Sequence, residues 1–350
     1  YGRSEYGRDE KVMVEFVSAN PTGPMHMGNA RGGALGDCLA AVLDKAGYNA
    51  WREFYVNDAG NQIEKFGCSL EARYLQIFKG DEIEFPEDGY QGEDIKDLAK
   101  EYADLNGDSL VNVSAEERKK ALVDYALPKN IKKMQADMEK YKIFYDKWFF
   151  ESELHKSGAV KAVVDLLTEK GLTYEKEGAV WYKNKEVLTQ KLLKEGKSQK
   201  YIDNLELKDD VLIRQNGNPT YFTADIAYHK NKFDRGFTTL IDVWGADHHG
   251  HVMRMKGAMD AIGYDGDKLN VVLMQLVKLV KDGELVRMSK RTGKAIQLGD
   301  LLDEVPVDSA RFLFNTKEAN TQMDFDLDLA VSQDNQNPVY YVQYAHARIC

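Results

Sequence analysis

Val12-Met13-Val14-Glu15-Phe16-Val17 is an apolar, β-branched run of the kind that forms a buried strand, and after Asn20-Pro21-Thr22-Gly23-Pro24 the apolar spacing changes. Leu35, Leu39, Val42 and Leu43 then recur with the period of a helix, Ala46-Gly47 closes it, and Trp51 to Val56 reads as a second strand. Strand, loop, helix and strand in that order predict a βαβ unit with a parallel sheet. The same alternation returns late in the chain, as strand Thr238 to Trp244, helix His251 to Ile262 and strand Asn270 to Val277. The expected fold class is therefore α/β, with one doubly wound parallel sheet built from two halves.

Between the halves lies a stretch rich in Lys and Glu with helical spacing and turn signals at Gly158, Gly171 and Gly178. This divides the chain into a first core half at 1–62, a long, largely helical insertion at 63–204 and a second core half at 205–297. A helical region at 298–336 follows, with short helices over Leu298 to Val305 and Val307 to Thr316 and an extended, acidic Met323 to Leu329. Asn337-Pro338 opens a last helix over 337–350. Because the chain starts at Tyr1 and stops inside that apolar helix, both ends read as cuts.

With 350 residues and 43% hydrophobic content the chain can bury a sizeable core. It has no run of 18 or more apolar residues and no basic stretch leading into an apolar one, so neither a membrane span nor a signal peptide is readable, and a cytoplasmic enzyme is expected. Cys38, Cys68 and Cys350 form no CxxC pair, which argues against a thiolate zinc site or a disulfide framework. A net charge of −10 disfavours indiscriminate nucleic-acid binding. Positive charge is nonetheless concentrated at Lys278, Lys281, Arg287, Lys290, Arg291 and Lys294.

Ligands of open α/β sheets bind beyond the carboxyl ends of the strands, which here is the loop Ser18 to Asn29. Its prolines stiffen the chain, Gly28 allows a flat or phosphate-bearing ligand to approach the backbone, and the following helix offers free N–H groups. Gly28, Gly32, Gly33 and Gly36 do not have the spacing of GxGxxG, and the alternative is that these glycines only permit close helix packing. In the run Val286 to Lys294, Lys290 is placed to neutralise a phosphate as pyrophosphate leaves; the alternative is a solvated basic face. Ala246-Asp247-His248-His249-Gly250-His251 invites a metal reading, against which stand polar substrate contacts or a hydrogen-bond network; no metal site is assigned. In Pro219 to Tyr228, Tyr221 and Asp225 stand at i and i+4, so an aromatic ring and a carboxylate share a helix face and could clamp a cation; the alternative is a helix start capped by Thr223.

These segments resemble one family. His26-Met27-Gly28-Asn29 is similar to the HIGH motif and Arg287-Met288-Ser289-Lys290-Arg291 to the KMSKS motif of class I aminoacyl-tRNA synthetases, in the right order on opposite halves of the fold. Asn29 stands in place of the second His of the first motif, and Arg287 in place of the first Lys of the second. Glu15 to Pro24, Tyr55 to Gln62, Thr220 to Tyr228 and Asn337 to Arg348 resemble the arginyl members of that class, and the likeness covers nearly the whole chain.

The resemblance implies a Rossmann-like class I synthetase core and a two-step reaction. Arginine attacks the α-phosphate of ATP, which carries Mg2+, and the arginyl group then passes to the terminal ribose of tRNA(Arg). By motif matching, His26, Gly28, Asn29, Met288, Ser289 and Lys290 hold ATP, with His26, Asn29 and Lys290 catalytic. Glu15, Asn20, His26, Tyr221, Asp225 and His248 bind arginine, with Glu15, Tyr221 and Asp225 reading the guanidinium. The family usually adds a tRNA-contacting domain before Tyr1 and an anticodon-binding domain from Asn337 onward, and a monomer is expected. Rival readings are another class I synthetase such as the cysteinyl enzyme, a small nucleotidylyltransferase with an HxGH motif, and a non-catalytic tRNA-binding relative. The first lacks its zinc ligands here, the second does not need the insertion, and the third has no use for His26 and Lys290.

Overall fold

Buried Val12, Met13 and Val14 place β1 (Lys11–Glu15) at the centre of a sheet covered on both faces. The computed structural model in which this is seen describes residues 2–286 and 296–350. After α1 (Gly28–Lys45), β2 (Asn49–Val56) pairs parallel with β1. Helices α2 (Asn61–Lys79), α3 (Glu93–Asn106) and α4 (Ala115–Lys140) form a block around Phe66, Leu70, Tyr74, Ile95 and Leu122.

The chain then returns to the sheet as β3 (Lys147–Phe150), parallel to β2, with Trp148 stacked on Phe54 at a centroid distance of 4.2 Å. Thus the span 63–204 is not wholly an insertion, since it supplies an edge strand of the core. Four residues flanked by charged helices carry too short a pattern to stand out against the helical period around them. After α5 (Glu151–Lys156) and α6 (Ala159–Glu169), strands β4 (Thr173–Lys176), β5 (Ala179–Tyr182) and β6 (Asp210–Ile213) make a small antiparallel sheet around α7 (Asn184–Lys194) and α8 (Gln199–Asp203).

The second half runs α9 (Tyr221–Asp234), β7 (Thr239–Gly245), α10 (His249–Ile262) and β8 (Leu269–Met274). The main sheet has the order β3-β2-β1-β7-β8 with every neighbouring pair parallel. Strand order reverses between β1 and β7, so the crevice beyond their carboxyl ends is the expected ligand site. The strand read as Asn270 to Val277 breaks at Gln275-Leu276. Its continuation, β9 (Val277–Lys281), joins β10 (Glu284–Val286) and β11 (Met323–Asp326) in a separate sheet. Beyond α11 (Leu298–Glu304) and α12 (Val307–Phe314), the acidic stretch is extended only to Asp326. The Asp326 side chain caps α13 (Leu327–Val331), and α14 (Pro338–Ile349) starts at the proline.

Two apolar clusters cover the main sheet. Val14, Phe54 and Val56 pack with Ala30 and Ala34 of α1, while Met13 and Leu240 pack with Ile226 of α9 and Met255 and Met259 of α10. Among the described residues, no helix is long and apolar enough to cross a membrane.

Candidate active site

At the carboxyl end of β1 the backbone turns sharply, with Val17 and Ser18 at φ 72° and 43°. A β-branched residue in the left-handed region is strained, and such strain persists where the surroundings over-determine it. Here the Ser18 hydroxyl donates to Glu15 Oε1 at 2.8 Å and accepts from the Tyr55 amide at 3.1 Å, while the Tyr145 hydroxyl donates to the Phe16 carbonyl at 3.1 Å. Val17 and Ser18 form the divide between two open cavities. One, of about 750 Å3, is lined by Tyr55, Glu151, Tyr221, Asp225, Trp244 and His251 among others. The other, of about 980 Å3, lies on the α1 side and is lined by Asn20, Gly23, Pro24, His26, Asn29 and Gln297 among others.

The second cavity is built by the loop before α1. The Met27 amide donates to the Ile296 carbonyl at 3.1 Å and the Leu298 amide to the Met25 carbonyl at 2.8 Å, so His26 lies against Gln297 in an antiparallel bridge. The flank of the basic run is thereby tied to the His26 loop. Asn29 accepts the His26 amide through Oδ1 at 3.0 Å, closing the turn. His26 and Gly28 are exposed, and a Cβ on Gly28 would meet no atom within 4 Å. Deeper in α1 the glycines serve a different purpose, because a Cβ on Gly36 would lie 2.2 Å from Phe16. Arg287, Met288, Ser289, Lys290, Arg291 and Lys294 lie outside the described residues.

The first cavity has a charged floor. Asp225 Oδ2 accepts from His251 Nε2 at 2.6 Å, and Asp225 Oδ1 lies 3.0 Å from His229 Nδ1. His229 Nε2 reaches Asp242 at 2.7 Å, and Lys232 Nζ donates to Asp242 at 2.8 Å and to Glu15 at 2.5 Å. His229, Lys232 and Asp242 are fully buried, whereas the Asp225 side chain keeps 28% of its surface exposed toward the cavity. Burial works to raise the Asp225 carboxyl, but His229 and His251 overcome it and hold it well below the usual carboxylate range. Burial and Lys232 oppose charge on His229, yet Asp225 and Asp242 push it up to about 10. Burial raises the Glu15 carboxyl above its ordinary value, against the pull of Lys232.

The expected arginine-site residues thus fall in two places. Tyr221, Asp225, Glu15 and His248 all line the first cavity, but they do not present themselves alike. Glu15 is 7% exposed, with its oxygens accepting from Ser18 and Lys232. His248 precedes α10 and is exposed above Trp244, with Asp247 its nearest acid at 3.7 Å. His251, on the first turn of α10, takes the contact with Asp225 instead. Asn20 and His26 belong to the second cavity. The chain of Lys232, Asp242 and His229 was not singled out in the sequence, nor was buried Glu151, which accepts from the Tyr55 hydroxyl at 2.8 Å and whose carboxyl burial raises. The one local signal was the recurrence of Asp225, His229 and Lys232 along a single helix face. Among the described residues, no group of three His, Cys, Asp or Glu side chains could hold a metal ion.

The chain has relatives of known name. An arginine–tRNA ligase of Ruminiclostridium cellulolyticum is 60% identical over all of this chain, and one of Caldanaerobacter subterraneus subsp. tengcongensis is 61% identical, also over all of it. The chain spans 59% of the length of each. The crystal structure of a Campylobacter jejuni protein, solved as an arginyl-tRNA synthetase, superposes with a TM-score of 0.82 at 39% identity, over 97% of this chain and 70% of that one. The family model described as tRNA synthetases class I (R), catalytic domain, matches residues 2–347, and the chain therefore belongs to that family.

Proposed function

We propose that this chain activates L-arginine with ATP and passes the arginyl group to tRNA(Arg), as an arginine–tRNA ligase. The observation that carries this reading is the charge at the floor of the first cavity. Glu15, Asp225 and Asp242 face two buried cations, Lys232 and His229, and the cavity-facing end of the chain is the Asp225 carboxylate. A ligand cation there completes the pairing, and a carboxylate beside the Tyr221 ring suits a planar guanidinium.

A guanidinium seated at Asp225 directs the arginine carboxylate back across Val17 and Ser18 toward the cavity at His26, where ATP would lie with its phosphates over Gly28 and the start of α1. The carboxylate oxygen attacks the α-phosphate and pyrophosphate leaves; the ribose hydroxyl of the tRNA then attacks the arginyl carbonyl and AMP leaves. No covalent enzyme intermediate is needed, so the contribution of His26, Asn29 and Lys290 is positioning and charge stabilisation of the transferring phosphate. Mg2+ enters with ATP as part of the substrate. A cytoplasmic monomer is the state in which we expect the protein to work.

Calorimetric titration with L-arginine, L-citrulline and L-lysine tests the reading. Arginine should bind, citrulline should not, and Asp225→Ala should lose arginine by at least about a hundredfold, as expected when one partner of a desolvated charge pair is removed. Equal binding of arginine and citrulline, or no binding of any of the three, would sink the assignment.

A further inference from the structure

Asp225, Tyr228, His229 and Lys232 of α9, and Arg235 at its C-cap, recur at the spacing of one helix face. That face meets the sheet, where a helix ordinarily presents apolar side chains. Each of these residues is instead partnered: Tyr228 and Arg235 bond Glu53 of β2, Lys232 bonds Glu15 and Asp242, and His229 joins Asp242 to Asp225. Stability alone does not call for such a stripe, because well-packed apolar side chains of similar volume commonly do as well as a buried ion network.

The position of His229 within it is distinctive. Nδ1 faces the Asp225 carbonyl at 2.9 Å and the Asp225 carboxylate at 3.0 Å, and Nε2 faces the Asp242 carboxylate at 2.7 Å. Both ring nitrogens see only acceptors, and a neutral imidazole would leave one lone pair pointing at a carbonyl or carboxylate. With Asp242 kept ionised by the Lys232 ammonium that also bonds it, the geometry requires the doubly protonated ring. The groups around it are Asp225, Tyr228 and Lys232 from α9, Asp242 and Trp244 from β7, Glu15 from β1 and, across Asp225, His251 from α10.

We propose that His229 is a positioning and specificity-determining residue: anchored to Asp242 as a buried cation, it holds the Asp225 carboxylate ionised and aimed into the cavity, so that the site takes a cationic ligand and rejects its neutral isostere. This rests on the arginine reading above. His229 does not touch the ligand. It acts by tying up Oδ1 of Asp225, so that the oxygen turned to the cavity is Oδ2, which accepts from His251.

The test is calorimetry of L-arginine and L-citrulline on the wild-type chain, His229→Gln and Asp242→Asn between about pH 5 and 7.5, below the range in which the ligand's own α-ammonium group titrates. Wild-type affinity for arginine should be flat over this range. His229→Gln should bind at least about tenfold more weakly, with affinity falling further as pH decreases, because Asp225 has lost the cation that opposed its protonation; its preference over citrulline should shrink. Asp242→Asn should lie between. A lower melting temperature with unchanged arginine affinity, pH profile and citrulline ratio would mean that His229 is merely structural and would overturn the proposal. Should the variants not fold, nitrogen-15 chemical shifts of the ligand-free wild-type ring at pH 8 decide: two protonated nitrogens support it and one overturns it. Failure of the wild type to bind arginine would instead count against the arginine reading, and the ring measurement still judges His229.

Discussion

A cation buried between two carboxylates stabilises a fold only while it keeps its proton, and His229 sits between Asp225 and Asp242 at 3.0 and 2.7 Å. Its pKa is raised from an ordinary 6.5 to about 10 in the folded chain. The sign follows from linkage: the folded state holds the proton more tightly, so the contribution is fully present below about pH 6.5 and lost as pH rises through about 10. Urea midpoints measured from pH 6 to pH 10.5 should fall across that window in the wild type and fall less in His229→Gln. The residues that read the cavity were visible in the sequence as far as local spacing could carry them, since Tyr221 and Asp225 stand one helical turn apart. Lys232 and Asp242 were not, because their roles depend on which strand faces α9. Nor was the choice of His251 over His248, which is settled by where α10 begins.

At the scale of the element, α9 and α1 show two ways of packing a helix on the same sheet. α9 does so with paired charge beside the apolar contacts of Ile226. Replacing Lys232 by Met leaves Glu15 buried without its bonded cation and Asp242 with His229 alone, and the loss should be about 3–5 kcal/mol in denaturant titration. α1 does so with small residues. Gly36→Ala would drive a methyl into Phe16 and should cost about 1–3 kcal/mol of stability. Gly28→Ala meets open space, so denaturant stability should stay within about 0.5 kcal/mol while calorimetric affinity for ATP drops. The sequence left nucleotide approach and helix packing as alternatives for these glycines; Gly36 is a packing glycine, and only Gly28 has the space for a ligand. β1, α1, β2, β7, α10 and β8 were legible because each carries a full period of apolar spacing. β3 was not, having only four residues and a partner far away in sequence.

Taken whole, the molecule presents two cavities on either side of one strained turn, and a ligand that fills the first should be felt by the entire fold. Arginine at about a hundred times its dissociation constant should raise unfolding free energy by about 2.7 kcal/mol, an upward shift in melting temperature that citrulline at the same concentration does not produce. Sheet order carries a different consequence, for synthesis. β1 lies between β2, which follows it at once, and β7, which begins only at Thr239. During translation at ~5–20 residues per second, one side of the central strand therefore waits on the order of ten seconds or more with its backbone groups unpaired. Until Gly245 has left the ribosome the nascent chain has an open, apolar β-edge, and through that interval it is exposed to pairing with the wrong strand.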